Sequence, residues 1–255
     1  LAVWGGFARY FLRQSLRQDA GEDTVDAVLR MRRMAAPFMM AFAVTVTFAA
    51  IDWLMSLNPH WFSTIFGVYV FSGMALSGLA ALTLTVIALR DSGRLPEGCV
   101  TTDHLYNLGA LLFGFSAFWA YIAFSQYMLI WYGNMPEENF YIHDRLQGGW
   151  LGVSVALALT RFVIPFFMLL PRRAKMHART LVVVSVVVLA GQWLDLYWLI
   201  MPERHAAGPV IGWQELGPPL TLAGALLFSL SRFLARRPCL AVGDPLLEES
   251  MRFRL

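Results

Sequence analysis

Residues 105 to 132 carry no charged side chain. As a helix rising 1.5 Å per residue the run is about 42 Å long, enough to cross a hydrocarbon layer of about 30 Å with tilt. Several other uninterrupted apolar runs of about twenty residues put the chain in the polytopic membrane class. The composition agrees: 58% of the 255 residues are hydrophobic and 15% charged, against about 25% charged in ordinary globular chains. The strands of an outer-membrane barrel would alternate apolar and polar residues over about ten positions. These runs do not alternate. The expected fold is an all-α, polytopic transmembrane helix bundle.

Six complete spans are expected, at about Ala35–Leu57, Thr64–Leu89, Leu105–Tyr132, Gly148–Leu170, Thr180–Met201 and Gly217–Ala235. Residues 1–34 read as the end of a preceding helix, with Arg9, Arg13 and Arg17 on one face, followed by a solvated cytoplasmic loop, DAGEDTVDAVLRMRR. Residues 35–236 form the bundle, and 237–255 a cytoplasmic tail. Pro218 and Pro219 are expected in the first turn of the last helix, where amides have no intrahelical partner. Segments 9–34, 90–104, 171–179 and 232–255 carry six, two, four and five Lys or Arg, and the alternate loops 58–63, 133–147 and 202–216 carry none, one and one. That asymmetry puts the first set, and the C-terminus, in the cytoplasm.

Orientation also explains the net charge of +3, so nucleic acid is not an expected partner. Cys99 and Cys239 fall on the cytoplasmic side, where a disulfide is disfavoured, and no Cys/His spacing points to a metal or a c-type haem. All five histidines sit at span ends or in loops, which disfavours transmembrane haem ligation. Small residues repeat at four-residue spacing at Gly73, Ser77 and Ala81, and at Gly148, Gly152, Ala156 and Thr160. Such stripes let helix backbones approach closely in lipid.

Function is expected where lipid should not tolerate polarity. Asp52, Arg161, Asp195 and Glu215 lie within or at the mouths of spans, and charges there usually face a bundle interior or a water-filled cavity. Asp52, Asp195, Glu215 and Gln126 fall toward the outer side, with His60, His143 and His205 in the outer loops. Thr45 shares a helix side with Asp52, as Gln192 does with Asp195. Together they read as a protonatable set near the outer leaflet, fit to relay protons or to hydrogen-bond a quinol headgroup. The competing reading is solvated or structurally paired groups. Arg161 either bonds carbonyls freed by Pro165 or sets a fixed charge beside a cytoplasm-facing polar path. Seven of nine tryptophans lie in the outer half, an excess that points to a protein partner or amphipathic ligand on that side as readily as to an interfacial belt.

Two stretches, FAAIDWLMSLNPHWFSTIFGVYVFSG (48–73) and LYNLGALLFGFSAFWAYIAFSQYMLIWYGNMPEENFY (105–141), continued by Arg145 and Gly149-Trp150, resemble the F-type membrane subunit of bacterial alternative complex III. That complex is a quinol:electron-acceptor oxidoreductase, and its F-type component is distantly similar to polysulfide-reductase and NrfD membrane anchors. The match runs in register from about Ala35 to Trp150 and weakens to general character through the last two helices. The resemblance implies a protein of about ten spans, of which this chain holds roughly the C-terminal six. It implies partners: a homologous-fold membrane subunit carrying the quinol site, an iron–sulfur subunit and c-type cytochromes. Haem c and iron–sulfur clusters would sit in those partners, quinol nearby, and no redox cofactor in this chain. The role it implies is non-catalytic, in proton conduction coupled to quinol oxidation. A purely structural anchor and an independent secondary transporter are the alternatives. No internal repeat or midplane site of the transporter kind is evident.

Overall fold

The computed structural model describes residues 2–21, 24–205 and 208–254. Among them every regular element is helical. Six helices are long and apolar enough to cross a membrane: Val25–Leu57, Phe66–Asp91, Thr102–Gly133, Gly148–Leu169, Ala178–Ile200 and Trp213–Arg236. The chain is an all-α polytopic bundle, as its uninterrupted apolar runs predict.

Helix α1 (Ala2–Asp19) lies along α2 (Thr24–Trp53). Phe7 and Phe11 pack on Phe38, Trp4 packs on Phe42, and Trp4 Nε1 donates to Thr45 Oγ1 at 2.8 Å. The loop expected up to residue 34 is largely absent, because α2 is already helical from Thr24. Glu22 and Asp23 of that loop lie outside the described residues. Charge alone does not end a helix, and Val25, Val28 and Leu29 repeat at helical spacing through the arginine-rich stretch.

The centre of the bundle is α3 (Phe66–Asp91), α4 (Thr102–Gly133) and α9 (Ala178–Ile200). Leu76, Ala80, Leu112, Leu181, Val184 and Val188 interlock there with no exposed surface. Helices α5 (Pro136–Arg145), α6 (Gly148–Ala158), α7 (Ile164–Leu169) and α8 (Arg172–Met176) run between α4 and α9. The acidic stretch after α4, expected as a loop, is α5. Pro136 opens it, Glu137 and Glu138 occupy its first turn, and His143 and Arg145 its last. That order suits the helix dipole.

Helix α10 (Trp213–Arg236) corrects an expectation: it starts four residues before Gly217, so Pro218 and Pro219 lie inside it, past the first turn. Two substitutes make this tolerable. Glu215 Oε2 accepts from the Gly212 amide at 2.8 Å, capping the start. Pro219 cannot donate to the Glu215 carbonyl, and Trp193 Nε1 reaches that carbonyl from α9 at 3.4 Å. No described residue of α10 is buried within the chain. A short helix, α11 (Leu247–Arg252), follows.

The end of the bundle opposite the arginine-rich segments is fastened by Arg145, 1% exposed. Its guanidinium donates to the carbonyls of Tyr141 (2.9 Å), Leu199 (3.2 Å) and Trp198 (3.3 Å). The last two are among the carbonyls that a helix end leaves unpaired, so Arg145 ties α5 to the terminus of α9. The guanidinium stands 3.5 Å from the Tyr141 ring centroid, and Trp61 stacks on that ring at 3.7 Å. Glu203, which accepts from Asn58 Nδ2 at 2.8 Å, lies 3.8 Å from Arg145. Burial pushes the Tyr141 phenol up to about 12, against a smaller opposing pull from Arg145.

Candidate functional site: a buried ion pair beside an aromatic cavity

Arg161 is fully buried and Asp195 is 2% exposed, with Nη2 and Oδ2 3.8 Å apart. Neither end of this pair is placed by chance. Residues 159–163 form a turn of π-helix between α6 and α7, a local widening that often marks functional positions. Pro165 lacks the amide that would bond the Arg161 carbonyl four residues back. Ser116 of α4 donates to that carbonyl instead, at 3.0 Å. The carbonyl that Pro165 frees is thus paired by Ser116, and the Arg161 side chain, expected on one account to bond such carbonyls, turns to other partners.

The three central helices supply the rest at helical spacing. Tyr69, Gly73 and Ser77 follow one another at four-residue intervals on α3, while Val188, Gly191, Gln192 and Asp195 share a side of α9. Arg161 Nη1 donates to Ser77 Oγ (3.3 Å) and to the Val188 carbonyl (3.5 Å). Ser77 Oγ in turn lies 2.8 Å from Gln192 Oε1 and 2.7 Å from the Gly73 carbonyl, and donates to one at a time. Asp195 accepts from the Tyr69 hydroxyl at Oδ1 and from Trp119 Nε1 at Oδ2, the latter at 3.3 Å. The guanidinium also stands 5.0 Å from the Trp119 ring centroid. Nε and Nη2 of Arg161 have no hydrogen-bond partner among the described residues, so the pair is held by charge more than by a fork of hydrogen bonds.

Two glycines are required by this packing. A Cβ on Gly73 would stand 3.0 Å from Arg161 Nη2 and 3.1 Å from Gln192 Oε1. One on Gly191 would stand 2.9 Å from both Arg161 Cδ and Thr160 Oγ1. The Gly73/Ser77 stripe, read from sequence as helix packing alone, is where Arg161 and Gln192 meet α3. The second stripe is different, because a Cβ on Gly152 would meet nothing within 4 Å.

Tyr69 and Trp119 also form part of the wall of a cavity of about 630 Å³ between α4, α6 and α9. Gln126, 7% exposed, lines the same cavity, and its Oε1 has no hydrogen-bond partner among the described residues. Carboxylate, phenol, indole and guanidinium therefore form a hydrogen-bonded and charge-paired group next to an apolar chamber. Such a group can hold a proton or pass one between Asp195 and Tyr69. It can also orient a polar headgroup placed in the chamber.

Of the residues singled out from sequence, Arg161 and Asp195 meet directly and Gln126 borders the adjoining cavity. The others lie apart. The Thr45 hydroxyl bonds Trp4 and the Ala41 carbonyl. Asp52 and His60 are exposed on the chain. Glu215 caps α10, with His205 Nε2 3.9 Å away. Lying toward the same side of the membrane does not give Asp52 and Asp195 a shared pocket, because α2 lies at the edge of the bundle and turns Asp52 outward. Tyr69, Trp119 and Ser116 complete the group and are not among the candidates singled out from sequence. The signal for Tyr69 was its place one turn before the Gly73/Ser77 stripe.

Comparison with models of known protein families and with curated proteins returns no match to this chain.

Proposed function

We propose that the chain is a membrane subunit of a quinol-oxidising respiratory electron-transfer complex of the alternative complex III type. In this reading it lies in the bacterial inner membrane with its arginine-rich end and C-terminus in the cytoplasm. It carries no redox centre, and it contributes a proton-handling group next to the quinol. Its partners are a membrane subunit of similar fold, an iron–sulfur subunit and c-type cytochromes.

The observation that carries the reading is the Arg161–Asp195 pair, shielded from solvent in the middle of the bundle and contacted by Tyr69 and Trp119. Ionisable groups at that depth are expensive and mark proton or substrate paths by default. The sequence resemblance of residues 48–73 and 105–141 supplies the class of complex. Both stretches contribute to this site, the first through Tyr69 and Gly73, the second through Ser116, Trp119 and Gln126.

Affinity purification of the tagged full-length protein from its native membranes tests the reading. Co-isolation of c-type haem, iron–sulfur protein and quinol-oxidising activity is expected. A chain recovered alone, with no haem absorbance, would refute the assignment and favour an independent transporter.

A further inference from the structure

Helices α1 and α10 stand side by side with a gap between them. No described residue of α10 is buried, yet its arginine-rich end is held in place. Arg94 Nη2 donates to the Leu234 carbonyl at 3.0 Å, and past the helix end the Gly243 amide donates to Asp19 Oδ1 at 2.9 Å. Between these fastenings a groove of about 710 Å³ stays open, with Ala2, Gly5, Gly6 and Arg9 of α1 on one side and Phe233 of α10 on the other. Phe233 faces the stretch from Ala2 to Leu12 and Gly243 meets Asp19, so the two walls run in the same direction.

Both walls change character at the same height. Residues 2–8 and 216–231 carry no charge, and Arg9 and Arg232 are the charged residues that follow. Beyond that level α1 presents Arg13 and Arg17, and α10 presents Arg236 with Arg237 just after it. All six arginines are exposed, and none forms an ion pair among the described residues. The groove therefore crosses from a hydrocarbon-like floor into a rim of unpaired positive charge. Its dimensions narrow the choice of occupant. From Ala2 to Leu12 it follows α1 for about 15 Å, half of a hydrocarbon layer of about 30 Å and so the depth of one leaflet. A helix about 10 Å across takes roughly 120 Å³ per residue, so the groove holds about six residues of helix. A protein span needs about twenty. A methylene chain fits where a helix does not.

We infer that this groove binds one anionic phospholipid of the leaflet on the arginine-rich side, with an acyl chain on Gly5 and Gly6 against the Phe233 ring and the headgroup phosphate paired with Arg9. Guanidinium and phosphate match in charge and in geometry, and the pairing can be bidentate. The glycines leave the floor low enough for a chain to lie on it, and the ring supplies an apolar wall. A zwitterionic phospholipid offers the same chain and the same phosphate. Its own ammonium cancels most of the attraction of the surrounding arginines, so the site discriminates by net charge.

The test is native mass spectrometry of the intact protein, delipidated in micelles with whatever subunits accompany it. It is titrated with phosphatidylglycerol or with phosphatidylcholine of identical acyl chains. The wild type should take up one tightly held phosphatidylglycerol per copy of this chain, at least about fivefold more tightly than phosphatidylcholine. Arg9→Gln should weaken phosphatidylglycerol about fivefold and remove most of the preference. Arg173→Gln, at an exposed arginine of α8 outside the groove, should change neither lipid. Gly5→Leu and Gly6→Leu fill the groove from its floor, and a Cβ at either position meets nothing within 4 Å. Both variants should keep the wild-type circular dichroism and lose the tight site for either lipid. Equal affinity of the two lipids for the wild type overturns the inference. So does a loss in Arg173→Gln as large as in Arg9→Gln, or tight phosphatidylglycerol retained in both glycine variants. A photoreactive side chain placed at Ala8 should capture lipid in native membranes. Capture of a polypeptide there instead overturns the inference and gives the groove to a protein partner.

Discussion

Replacing Asp195 by leucine should destabilise the protein more than replacing both members of its ion pair. In the native fold Arg161 is fully buried, and among the described residues only its Nη1 has hydrogen-bond partners, Ser77 Oγ and the Val188 carbonyl. Asp195→Leu leaves that cation without its counter-charge, a change that costs about 3–5 kcal/mol when one partner of a buried pair is removed. It also orphans the Tyr69 hydroxyl and Trp119 Nε1, which brings the total to about 4–6 kcal/mol once overlap between these losses is allowed for. Arg161→Met added to Asp195→Leu removes the stranded charge and keeps much of the side chain's volume. The double variant should then be about 2–3 kcal/mol more stable than Asp195→Leu alone, its remaining loss being mainly the two orphaned donors. Reversible unfolding in mixed micelles, followed by circular dichroism for all four members of the cycle, measures the coupling. A double variant as unstable as the sum of the two single variants would refute the pairing argument.

Gly191→Ala should cost about 1–3 kcal/mol in the same assay, because its Cβ would stand 2.9 Å from Arg161 Cδ and Thr160 Oγ1. Gly78→Ala, with nothing within 4 Å, should be neutral or slightly stabilising. The phenol of Tyr141 has a folded-state value of about 12, raised from 10.0. Its contribution to stability is therefore complete below pH 10 and lost as pH climbs from 10 to about 12. Tyrosinate absorbance should show a late-titrating phenol that Tyr141→Phe removes, and Arg145→Met, which removes an opposing positive charge, should move it later still. Glu215→Ala should lower stability by about 1 kcal/mol through loss of the α10 cap while leaving any proton-coupled activity unchanged. A loss of activity out of proportion to that destabilisation would place Glu215 in the site after all.

The spans were legible because uninterrupted apolar length is a strong signal, and the boundaries of α3, α4 and α9 fall within a few residues of expectation. Arg161 and Asp195 were legible as polar groups at the wrong depth. What could not be read was which way each helix faces. Asp52 and Asp195 look alike in sequence, yet α9 is enclosed and α2 is peripheral, so one carboxylate is 2% exposed and the other turns outward. Local geometry hid the rest. The π turn at 159–163 aims Arg161 at α3 and α9, and hydropathy carries no trace of it. Pro218 and Pro219 read as the start of a helix because compensation by Trp193 and Glu215 comes from contacts across space and a cap upstream. Tyr69 and Trp119 read as ordinary aromatics of a span, and only their shared acceptor, Asp195, makes them part of a site.

The most direct test of a proton-handling role compares Asp195→Asn with Asp52→Asn in the intact complex, following quinol oxidation and proton release together. Asparagine keeps the shape and one acceptor oxygen, so it can accept from Tyr69 or from Trp119, but it cannot carry the proton. Asp195→Asn is expected to slow proton-coupled quinol oxidation at least about tenfold, with Asp52→Asn indistinguishable from wild type. Full activity in Asp195→Asn, at native haem content, would contradict that role and leave the ion pair a structural fastening.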